Sequence, residues 1–526
     1  MYSEEKSISK NVIILAILAV LSSLASLIIQ ELVAYKFGAT FLTDAYIVAS
    51  MIPLIVSHCL LGGIIYALIP AIIKIKVQKD PFEAQRVASS ILNIVLLIVL
   101  VLSIFFFLFT RQIINLIAPG LSSQAKYQAI IMSRILIPNF FLFCLLLFYK
   151  AVFNANKYFI LPALSPLFYS AVIFISVIIL SGKMGIYSLA LGTLLGSALQ
   201  TLILTNGLNK INFKLSPSLL LKHPAVKAIF LLSLPVFIQI ILSNINVVVL
   251  RFFASRIQEG GIASLNFSEQ IINIFLSVFA GSLSVVILPY FSQQVAENEI
   301  DKLKSLFIKN AKAILIIAMP LSVILWVFSY PIVSILFERG AFDAKASHLT
   351  ALNLKYYSFG FLATAISMLL MQVYYSLGKM LLLCKIEIVS VILNILLALI
   401  LSGYLKTSGI ALSVALTANV TFIVLFYLLA REWRLSIINK NIIKFFLKIV
   451  LASLFMAMVS QNIFFYLEGN KTKALTLKPQ MLPFVLAIIS ALLVFLGMLI
   501  LLKVKEVKAI KGLIKINLFR REPSLY

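Results

Sequence analysis

Fourteen long apolar runs constrain what this 526-residue chain can fold into. A helix needs roughly 20 apolar residues to cross a hydrocarbon core about 30 Å thick, and each run is long enough. The pattern therefore predicts an all-α polytopic membrane protein with about 14 transmembrane helices. The runs lie near residues 9–32, 45–74, 87–110, 127–151, 158–181, 184–206, 226–252, 263–291, 310–337, 350–376, 380–402, 408–430, 443–467 and 480–503.

Composition excludes a soluble domain of this length. The chain is 62% hydrophobic and 12% charged, with a mean hydropathy of +1.09. A soluble domain needs a polar surface that such a composition cannot supply. The first run follows a polar start, MYSEEKSISK, and has no small-residue cleavage site after it, so we expect a retained helix and not a signal peptide.

The distribution of basic residues predicts the topology. Most of the 44 Lys and Arg residues fall at the N-terminus, in the loops that follow even-numbered helices, and in the C-terminal tail. The positive-inside rule places both termini in the cytoplasm, so we expect a multi-pass membrane protein with that topology. The polar segment LFERGAFDAKAS, residues 336–347, then lies outside, between helices 9 and 10.

The residues give no support for an enzyme or for a metal or nucleic-acid site. The net charge of +26 is spread over short juxtamembrane loops, where topology and anionic lipid explain it. Cys59, Cys144 and Cys384 lie in predicted helices without CxxC spacing, which indicates packing residues. No P-loop or nucleophile triad occurs, so no enzyme and no cofactor is predicted.

Internal similarity indicates a duplication. GIYSLALGT at 185–193 is similar to GIALSVALT at 409–417, YKFGA at 35–39 to LRFFA at 250–254, and ALIP at 67–70 to VILP at 286–289. These ordered pairs predict two parallel six-helix repeats, as in two-lobed transporters, with helices 13 and 14 outside the duplication. The predicted regions are an N-terminus 1–10, an N-lobe 11–206, a linker 207–225, a C-lobe 226–430, helices 13 and 14 in 431–503, and a basic tail 504–526.

Ionisable groups at membrane depth are costly, so those present are candidates for the wall of a cavity. A structural interpretation stands beside each: Lys36 and Arg251 are near enough to helix ends to snorkel, and Glu269 with Asn273 shares one helix face that suits a helix contact. His58 is also compatible with simple packing. The polar candidates are Lys36, Asp44, His58, Arg134, Arg251, Glu269, Gln270 and Asn273.

A second polar face occurs in helix 11. Glu387, Ser390 and Asn394 are spaced i, i+3 and i+7, which places them on one side of that helix. We interpret them as a candidate ion site, with Na⁺, H⁺ or the membrane potential as the coupling force.

Four segments resemble the bacterial lipid II flippases MurJ (MviN) of the MOP superfamily. They are FGATFLTDAYIVASMIP at 37–53, LRFFASRIQEGGIASLNFSEQI at 250–271, ILPYFSQ at 287–293 and LFERGAFD at 336–343. The resemblance runs from about residue 10 to 430 with its spacing preserved. It implies two six-helix lobes in a V shape, alternating access, and a groove formed with the last two helices for a polyprenyl tail.

The chain departs from this family where the head group would bind. Relatives carry cavity arginines in helices 1, 2 and 8, and those positions read Ile29, Ser57 beside His58, and Gln270. An acidic residue that often precedes the helix 7 arginine is Leu250 here, which weakens the case for a family-type sodium site. The cations left are Lys36, Arg134 and Arg251.

The resemblance implies a flippase of the bacterial cytoplasmic (inner) membrane that moves undecaprenyl-pyrophosphate-linked peptidoglycan precursor, lipid II, from the inner to the outer leaflet during cell wall biogenesis. Its partners would be a polyprenyl-pyrophosphate-linked glycan, membrane lipid and cell wall synthesis proteins. Three alternatives stay open at this point. They are a flippase for an exopolysaccharide or O-antigen precursor, which the missing arginines favour, a MATE-type antiporter, and a membrane scaffold.

Overall fold

The computed structural model describes residues 2–78, 80–156, 158–277, 282–433, 440–469, 481–504 and 506. These residues are almost entirely helical and contain no strand. The first nine α-helices are α1 Tyr2–Phe37, α2 Phe41–Ser57, α3 Gly63–Gln78, α4 Pro81–Ile117, α5 Ser123–Leu136, α6 Asn139–Ala155, α7 Ile160–Met184, α8 Tyr187–Gly207 and α9 Pro224–Ser255. They are followed by α10 Gly261–Leu276, α11 Ser282–Ala296, α12 Ile300–Val327, α13 Ser329–Phe337, α14 Ala344–Ser376, α15 Met380–Leu405, α16 Thr407–Glu432, α17 Lys440–Gly469 and α18 Met481–Leu501.

The predicted polytopic all-α fold is confirmed. Within the described residues, twelve helices are long and apolar enough to span a membrane, and the pair α5–α6, bent by 50°, raises the number to thirteen. Pro138 lies at that bend, where its ring prevents a regular helix from continuing. The eighth predicted run, 263–291, is divided between α10 and α11, and residues 278–281 between them lie outside the described part.

The described residues form two compact units. The larger unit contains Met1–Ile274, Phe337–Asn353 and Lys379–Thr417, and the smaller unit contains Phe275–Leu336, Leu354–Gly378 and Ala418–Tyr526. The division of the sequence into lobes at 11–206 and 226–430 stays a prediction.

Small residues allow close helix packing in the larger unit. Gly192 and Gly196 are one turn apart on α8 and face α7. A Cβ at Gly192 would lie 2.9 Å from the Ser176 Cβ, and one at Gly196 would lie 2.9 Å from the Tyr169 carbonyl oxygen. Because lipid supplies no hydrophobic drive between helices, this close approach is a main source of their association.

Residues 212–223, between α8 and α9, run along α4. The Gln85 Nε2 donates to the Asn212 carbonyl oxygen (2.8 Å), and the Asn93 Nδ2 donates to the carbonyl oxygens of Ser216 (2.9 Å) and Ser218 (3.0 Å). These amides satisfy backbone groups that an irregular segment cannot pair by itself. The segment predicted as a linker, 207–225, is therefore held along α4 by side chains.

Aromatic contacts hold the last two helices in the smaller unit. Phe328, which directly follows α12, lies 5.7 Å from Phe464 of α17 and 6.0 Å from Phe484 of α18, measured between ring centroids. The Lys312 Nζ of α12 also forms an ion pair with Glu506 at 2.6 Å. Helices α17 and α18 are the predicted helices 13 and 14. Most of the basic tail 504–526 lies outside the described residues.

Membrane orientation can be tested with single cysteines in a cysteine-free background. We expect a cysteine at Ala344 to react with an impermeant thiol reagent in intact cells, because the basic residues place this turn outside. A cysteine at Asp301, whose side chain is 95% exposed, is the control on the opposite face and should react only after lysis. The reverse labelling pattern would overturn the predicted topology.

Candidate functional site

Asp44 joins two distant parts of the sequence. It lies in the first turn of α2, it is buried, and both of its carboxylate oxygens accept backbone hydrogen bonds. The Gly260 N–H donates to Oδ2 at 2.8 Å, and the Ala263 N–H donates to Oδ1 at 2.6 Å. Both donors lie at the start of α10, where backbone N–H groups have no helical acceptor and the helix dipole favours negative charge. Asp44 therefore caps α10 from another helix.

Two glycines let three turns approach closely around Asp44. We call residues 35–44, 256–263 and 337–343 the three-turn interlock. Gly260 (φ +73°) lies against residue 39, where a Cβ would be 2.1 Å from the Ala39 carbonyl oxygen. Gly340 (φ +58°) lies against Tyr35, where a Cβ would be 2.3 Å from the carbonyl oxygen. Side chains at these positions would be strained and would also clash.

The segment LFERGAFD supplies the third turn of the interlock. The Ala341 N–H donates to the Tyr35 carbonyl oxygen at 2.9 Å, and Arg339 forms an ion pair with Glu31. Its aromatic residues Phe337 and Phe342 are buried against Phe267, with ring centroids 5.1 and 5.3 Å away. The polar residues thus hold the turn to α1, and the two phenylalanines hold it to α10.

Arg251 is paired inside the larger unit. Its Nη2 lies 3.0 Å from the Glu269 Oε2, which joins α9 to α10, and its side chain is 9% exposed. Gln270 is partly buried and Asn273 is exposed. Since Glu269 already neutralises the guanidinium, Arg251 is not an isolated cation that could bind an anion without cost.

Ser57 and His58 point in different directions. The Ser57 hydroxyl is buried and donates to the Pro53 carbonyl oxygen at 2.7 Å, with the Phe140 carbonyl oxygen at 3.4 Å. A π-helix, His58–Gly62, begins at the next residue and leaves the His58 side chain exposed. Such insertions change the register of a helix and are frequent at functional sites. Of the two side chains, that of His58 is exposed and that of Ser57 is buried.

Lys150 is a cation that the sequence reasoning missed. It lies on α6, is partly buried, and makes no hydrogen bond or ion pair within the described part of the chain. The π-helix that begins with His58 packs against α6, and Lys150 lies within electrostatic range of His58. The sequence signal was a single Lys in the apolar run NFFLFCLLLFYKAVF, close to the end of the predicted helix 127–151.

Lys36 and Arg134 have exposed side chains and aromatic neighbours. The Lys36 Nζ is 5.8 Å from the Tyr35 ring centroid, and the Arg134 Cζ is 5.2 Å from that of Phe107. Each contact is a cation–π interaction worth about 0.5–1 kcal/mol at an exposed site. Neither residue lies beside Asp44 or His58 in a hydrogen-bonded group.

The candidate ion site on α15 contacts α9. The Ser243 hydroxyl donates to the Glu387 Oε1 at 2.7 Å, and the Asn394 Nδ2 donates to the Asn246 Oδ1 at 3.0 Å. The Asn394 Oδ1 is buried and unpaired in the described residues. Ser390 lies between Glu387 and Asn394 on the same helix and has interactions of its own. The predicted face thus brings a carboxylate and an unused amide oxygen to one helix interface.

Known proteins match this chain over most of its length. A sequence model of the lipid II flippase MurJ family matches residues 33–478. A probable lipid II flippase MurJ from Buchnera aphidicola subsp. Schizaphis graminum is 26% identical over 81% of this chain and 84% of its own length.

Solved structures of the same fold also match. A lipid II flippase MurJ in an inward closed conformation has a TM-score of 0.78 and 26% identity, and the match covers 92% of this chain and 98% of that protein. A multidrug resistance MATE family transporter of the MOP superfamily, in an inward-facing conformation, has a TM-score of 0.66 and 16% identity, covering 80% and 98%. At that identity the second match shows the fold alone.

Asp44→Asn should weaken the cap on α10. Hydrogen bonds to a charged group contribute about 1.5–3 kcal/mol each, and a neutral amide keeps the shape without the charge. We expect backbone amides of residues 260–263 to exchange with deuterium at least about tenfold faster, measured by mass spectrometry on the purified protein.

Asp301→Asn is the matched control for this experiment, because the Asp301 side chain is 95% exposed. It should leave exchange at residues 260–263 unchanged. Equal exchange rates in Asp44→Asn and the unmodified protein would show that the carboxylate charge does not stabilise the interlock.

Proposed function

Because the chain belongs to the lipid II flippase MurJ family, we propose that it moves the undecaprenyl-pyrophosphate-linked peptidoglycan precursor lipid II from the inner to the outer leaflet of the cytoplasmic membrane. The observation that carries the proposal is the family match over residues 33–478, together with the fold shared with a solved MurJ. Alternating access requires no bond chemistry. It requires contacts that form in one conformation and break in another.

The three-turn interlock is suited to be such a contact. Asp44 accepts two backbone hydrogen bonds, and each hydrogen bond to a charged group contributes about 1.5–3 kcal/mol before the cost of burying the carboxylate is subtracted. A ligand needs a differential affinity of about 5.5 kcal/mol to move an equilibrium from 1:99 to 99:1. Because the burial cost reduces the net contribution of the interlock, binding of cargo or an ion is sufficient to release it.

We propose that His58 and Lys150 bind the phosphate groups of the lipid. A pyrophosphate needs positive donors, and the arginine positions of the family are Ile29, Ser57 and Gln270 in this chain. In the described residues Lys150 has no carboxylate partner, and it lies on the helix that packs against the π-helix of His58. An intramembrane ammonium without a carboxylate is costly unless it serves a ligand or faces water.

We propose that Glu387 couples lipid transport to an ion. Glu387 lies in a membrane-spanning helix with a serine hydroxyl as its hydrogen-bond donor, and the unpaired Asn394 Oδ1 is on the same helix. A carboxylate at membrane depth can bind a cation or carry a proton, so Glu387 is the residue that we expect to hold the coupling ion. Binding of either ion there would bias the α9–α15 interface.

A flippase for another polyprenyl-pyrophosphate-linked glycan, such as an exopolysaccharide or O-antigen precursor, is the second candidate. The family's three arginine positions are occupied here by Ile29, Ser57 and Gln270, and this favours the second candidate. These residues cannot form the bidentate hydrogen bonds with a pyrophosphate that guanidinium groups form. Binding of lipid II and of these other lipids to the purified protein in liposomes distinguishes the two. Preference for a glycan other than lipid II would contradict the first proposal.

Lys150→Ala should weaken binding of lipid II by roughly 10- to 100-fold, since a hydrogen bond to a charged group contributes about 1.5–3 kcal/mol. Lys150→Arg should retain binding, because the cation and its donors remain. Lys183→Ala, at an exposed position near the end of α7, is the control and should bind normally. Unchanged binding in Lys150→Ala would remove this residue from the site.

Glu387→Gln should abolish the dependence of lipid transport on the coupling ion, because the amide keeps the shape but holds neither a proton nor a cation as a carboxylate does. The measurement is lipid flipping in proteoliposomes with and without Na⁺ and pH gradients. Glu297→Gln is a suitable control, since Glu297 is exposed and accepts from Gln293 in its own turn. A gradient response that persists in Glu387→Gln would place coupling elsewhere.

A further inference from the structure

Arg111 of α4 and Arg134 of α5 lie on one exposed face of the larger unit. Helices α4 and α5 pack against each other, and the Arg134 Cζ lies 5.2 Å from the ring centroid of Phe107. Phe107 and Arg111 are one helical turn apart on α4, so they lie on the same side of that helix. We call Arg111 and Arg134 the arginine pair.

The described residues supply no acidic partner for the arginine pair. No Asp or Glu occurs in the sequence between Glu83 and Glu259, and neither arginine forms an ion pair or a hydrogen bond with a described residue. Arg251 and Arg339, by contrast, are each paired with a glutamate. The two positive charges of the arginine pair are therefore available to an anion that comes from outside the chain.

The surface around the arginine pair is apolar. Val101 and Leu108 of α4 are 67% and 64% exposed, and Phe105 is also exposed. Because α4 is among the helices that are long and apolar enough to span a membrane, these side chains contact hydrocarbon. A charged side chain at such a surface is costly unless it reaches the head groups or an anionic partner.

The residue pattern of α4 indicates the level at which Arg111 lies. Asn93 binds the irregular segment 212–223, and residues 94–109 that follow it are apolar except for one serine. This stretch extends over about 24 Å at 1.5 Å per residue, which is close to the thickness of a hydrocarbon core of about 30 Å. Arg111 follows the stretch after a single threonine. It therefore lies at the level of the lipid head groups.

The turn between α4 and α5, residues 118–122, identifies the leaflet. The Gly120 N–H donates to the Ser255 Oγ at 3.2 Å, so this turn lies at the same end of the larger unit as the three-turn interlock. The basic residues of the sequence predict that this end is outside. The arginine pair then faces the outer leaflet.

The directions of the two helices turn Arg111 and Arg134 toward each other. A helical side chain leans toward the N-terminus of its own helix, and α4 and α5 run in opposite directions on either side of their short turn. Arg111 therefore leans deeper, whereas Arg134, beside Phe107 about 6 Å further along the axis of α4, leans toward the head groups. A guanidinium has five N–H donors in a planar fork that fits phosphate oxygens, so both side chains can donate to one phosphate group.

We propose that the arginine pair binds the phosphate group of one anionic phospholipid of the outer leaflet. A zwitterionic phospholipid carries an ammonium that compensates its own phosphate, whereas two guanidinium groups without a carboxylate favour a lipid with net negative charge. The acyl chains of this lipid lie along the exposed apolar surface of Val101 and Leu108. The site does not depend on the proposed function, because its residues are not those assigned to cargo or to the coupling ion.

The test identifies the lipid that lies beside the arginine pair in the purified full chain. A photoreactive benzoylphenylalanine replaces the exposed Leu108, and the protein is placed in nanodiscs that contain equal amounts of phosphatidylglycerol and phosphatidylethanolamine with the same acyl chains, and a trace of polyprenyl phosphate. Mass spectrometry identifies the cross-linked lipid. A cation near the membrane surface favours an anionic lipid by roughly fivefold, so we expect phosphatidylglycerol to be enriched at least about fivefold.

Two pairs of substitutions separate charge from geometry. Arg111→Gln with Arg134→Gln should abolish the enrichment at residue 108, and both side chains are exposed, so the fold should be retained. Arg111→Lys with Arg134→Lys should retain part of the enrichment, because the charge remains and the planar fork is lost. The same photoreactive residue in place of Leu97, which is 51% exposed on the same helix, is the control and should cross-link lipids in proportion to the mixture.

Three results would overturn the phospholipid site. Cross-links at residue 108 in proportion to the mixture would show that the arginines only reach toward the head groups. Enrichment that persists in the glutamine double variant would show that the arginines are not its cause. Cross-linking of polyprenyl phosphate in excess of its share of the mixture would assign the arginine pair to cargo.

Inorganic phosphate distinguishes a lipid phosphate from a soluble one. Added in place of chloride at equal ionic strength, it should leave the enrichment at residue 108 unchanged, because the acyl chains of the lipid also contact the protein. Loss of the enrichment under this condition would assign the arginine pair to a soluble phosphate and contradict the proposal.

Discussion

The cap that Asp44 places on α10 is the contact on which the rest of the site depends. A carboxylate in a membrane-spanning helix is costly unless its oxygens are satisfied, and the first turn of α10 supplies two backbone donors that would otherwise be unpaired. The carboxylate and the two backbone N–H groups therefore remove each other's energetic cost of being buried without a hydrogen bond. Gly260 and Gly340 permit the close backbone approach that brings residues 256–263 and 337–343 against residues 35–44.

The charged residues of the larger unit differ in whether a neighbouring group compensates their charge. Arg251 is compensated by Glu269, and Asp44 by helix amides, so both are structural in the conformation described. Lys150 lacks a carboxylate partner in the described residues. In a medium of low polarity this difference is large, because an uncompensated charge gains much more from an oppositely charged ligand than a paired one does.

The helix 1 position at which the family has an arginine lies apart from the lysine that has no carboxylate partner in the described residues. Phosphate recognition needs positive charge, which Ile29 cannot supply and Lys150 can. Ile29 lines one region with Gln30 and Asn266, while His58 and Lys150 lie near the junction of the π-helix with α6. Substitution at the Ile29 position changes the first region without removing the second.

The sequence by itself determined the membrane class, the helices and the family, because hydropathy and length are local properties and the motifs keep their spacing. It also identified Asp44, Arg251, Glu269 and Glu387 as unusual charges. Their partners were decided by tertiary structure, since Asp44 is satisfied by backbone groups that carry no sequence signal. The same holds for His58, which a change of helix register exposes beside the buried Ser57. Packing of α6 against that π-helix, and not the local pattern, brings Lys150 to the site.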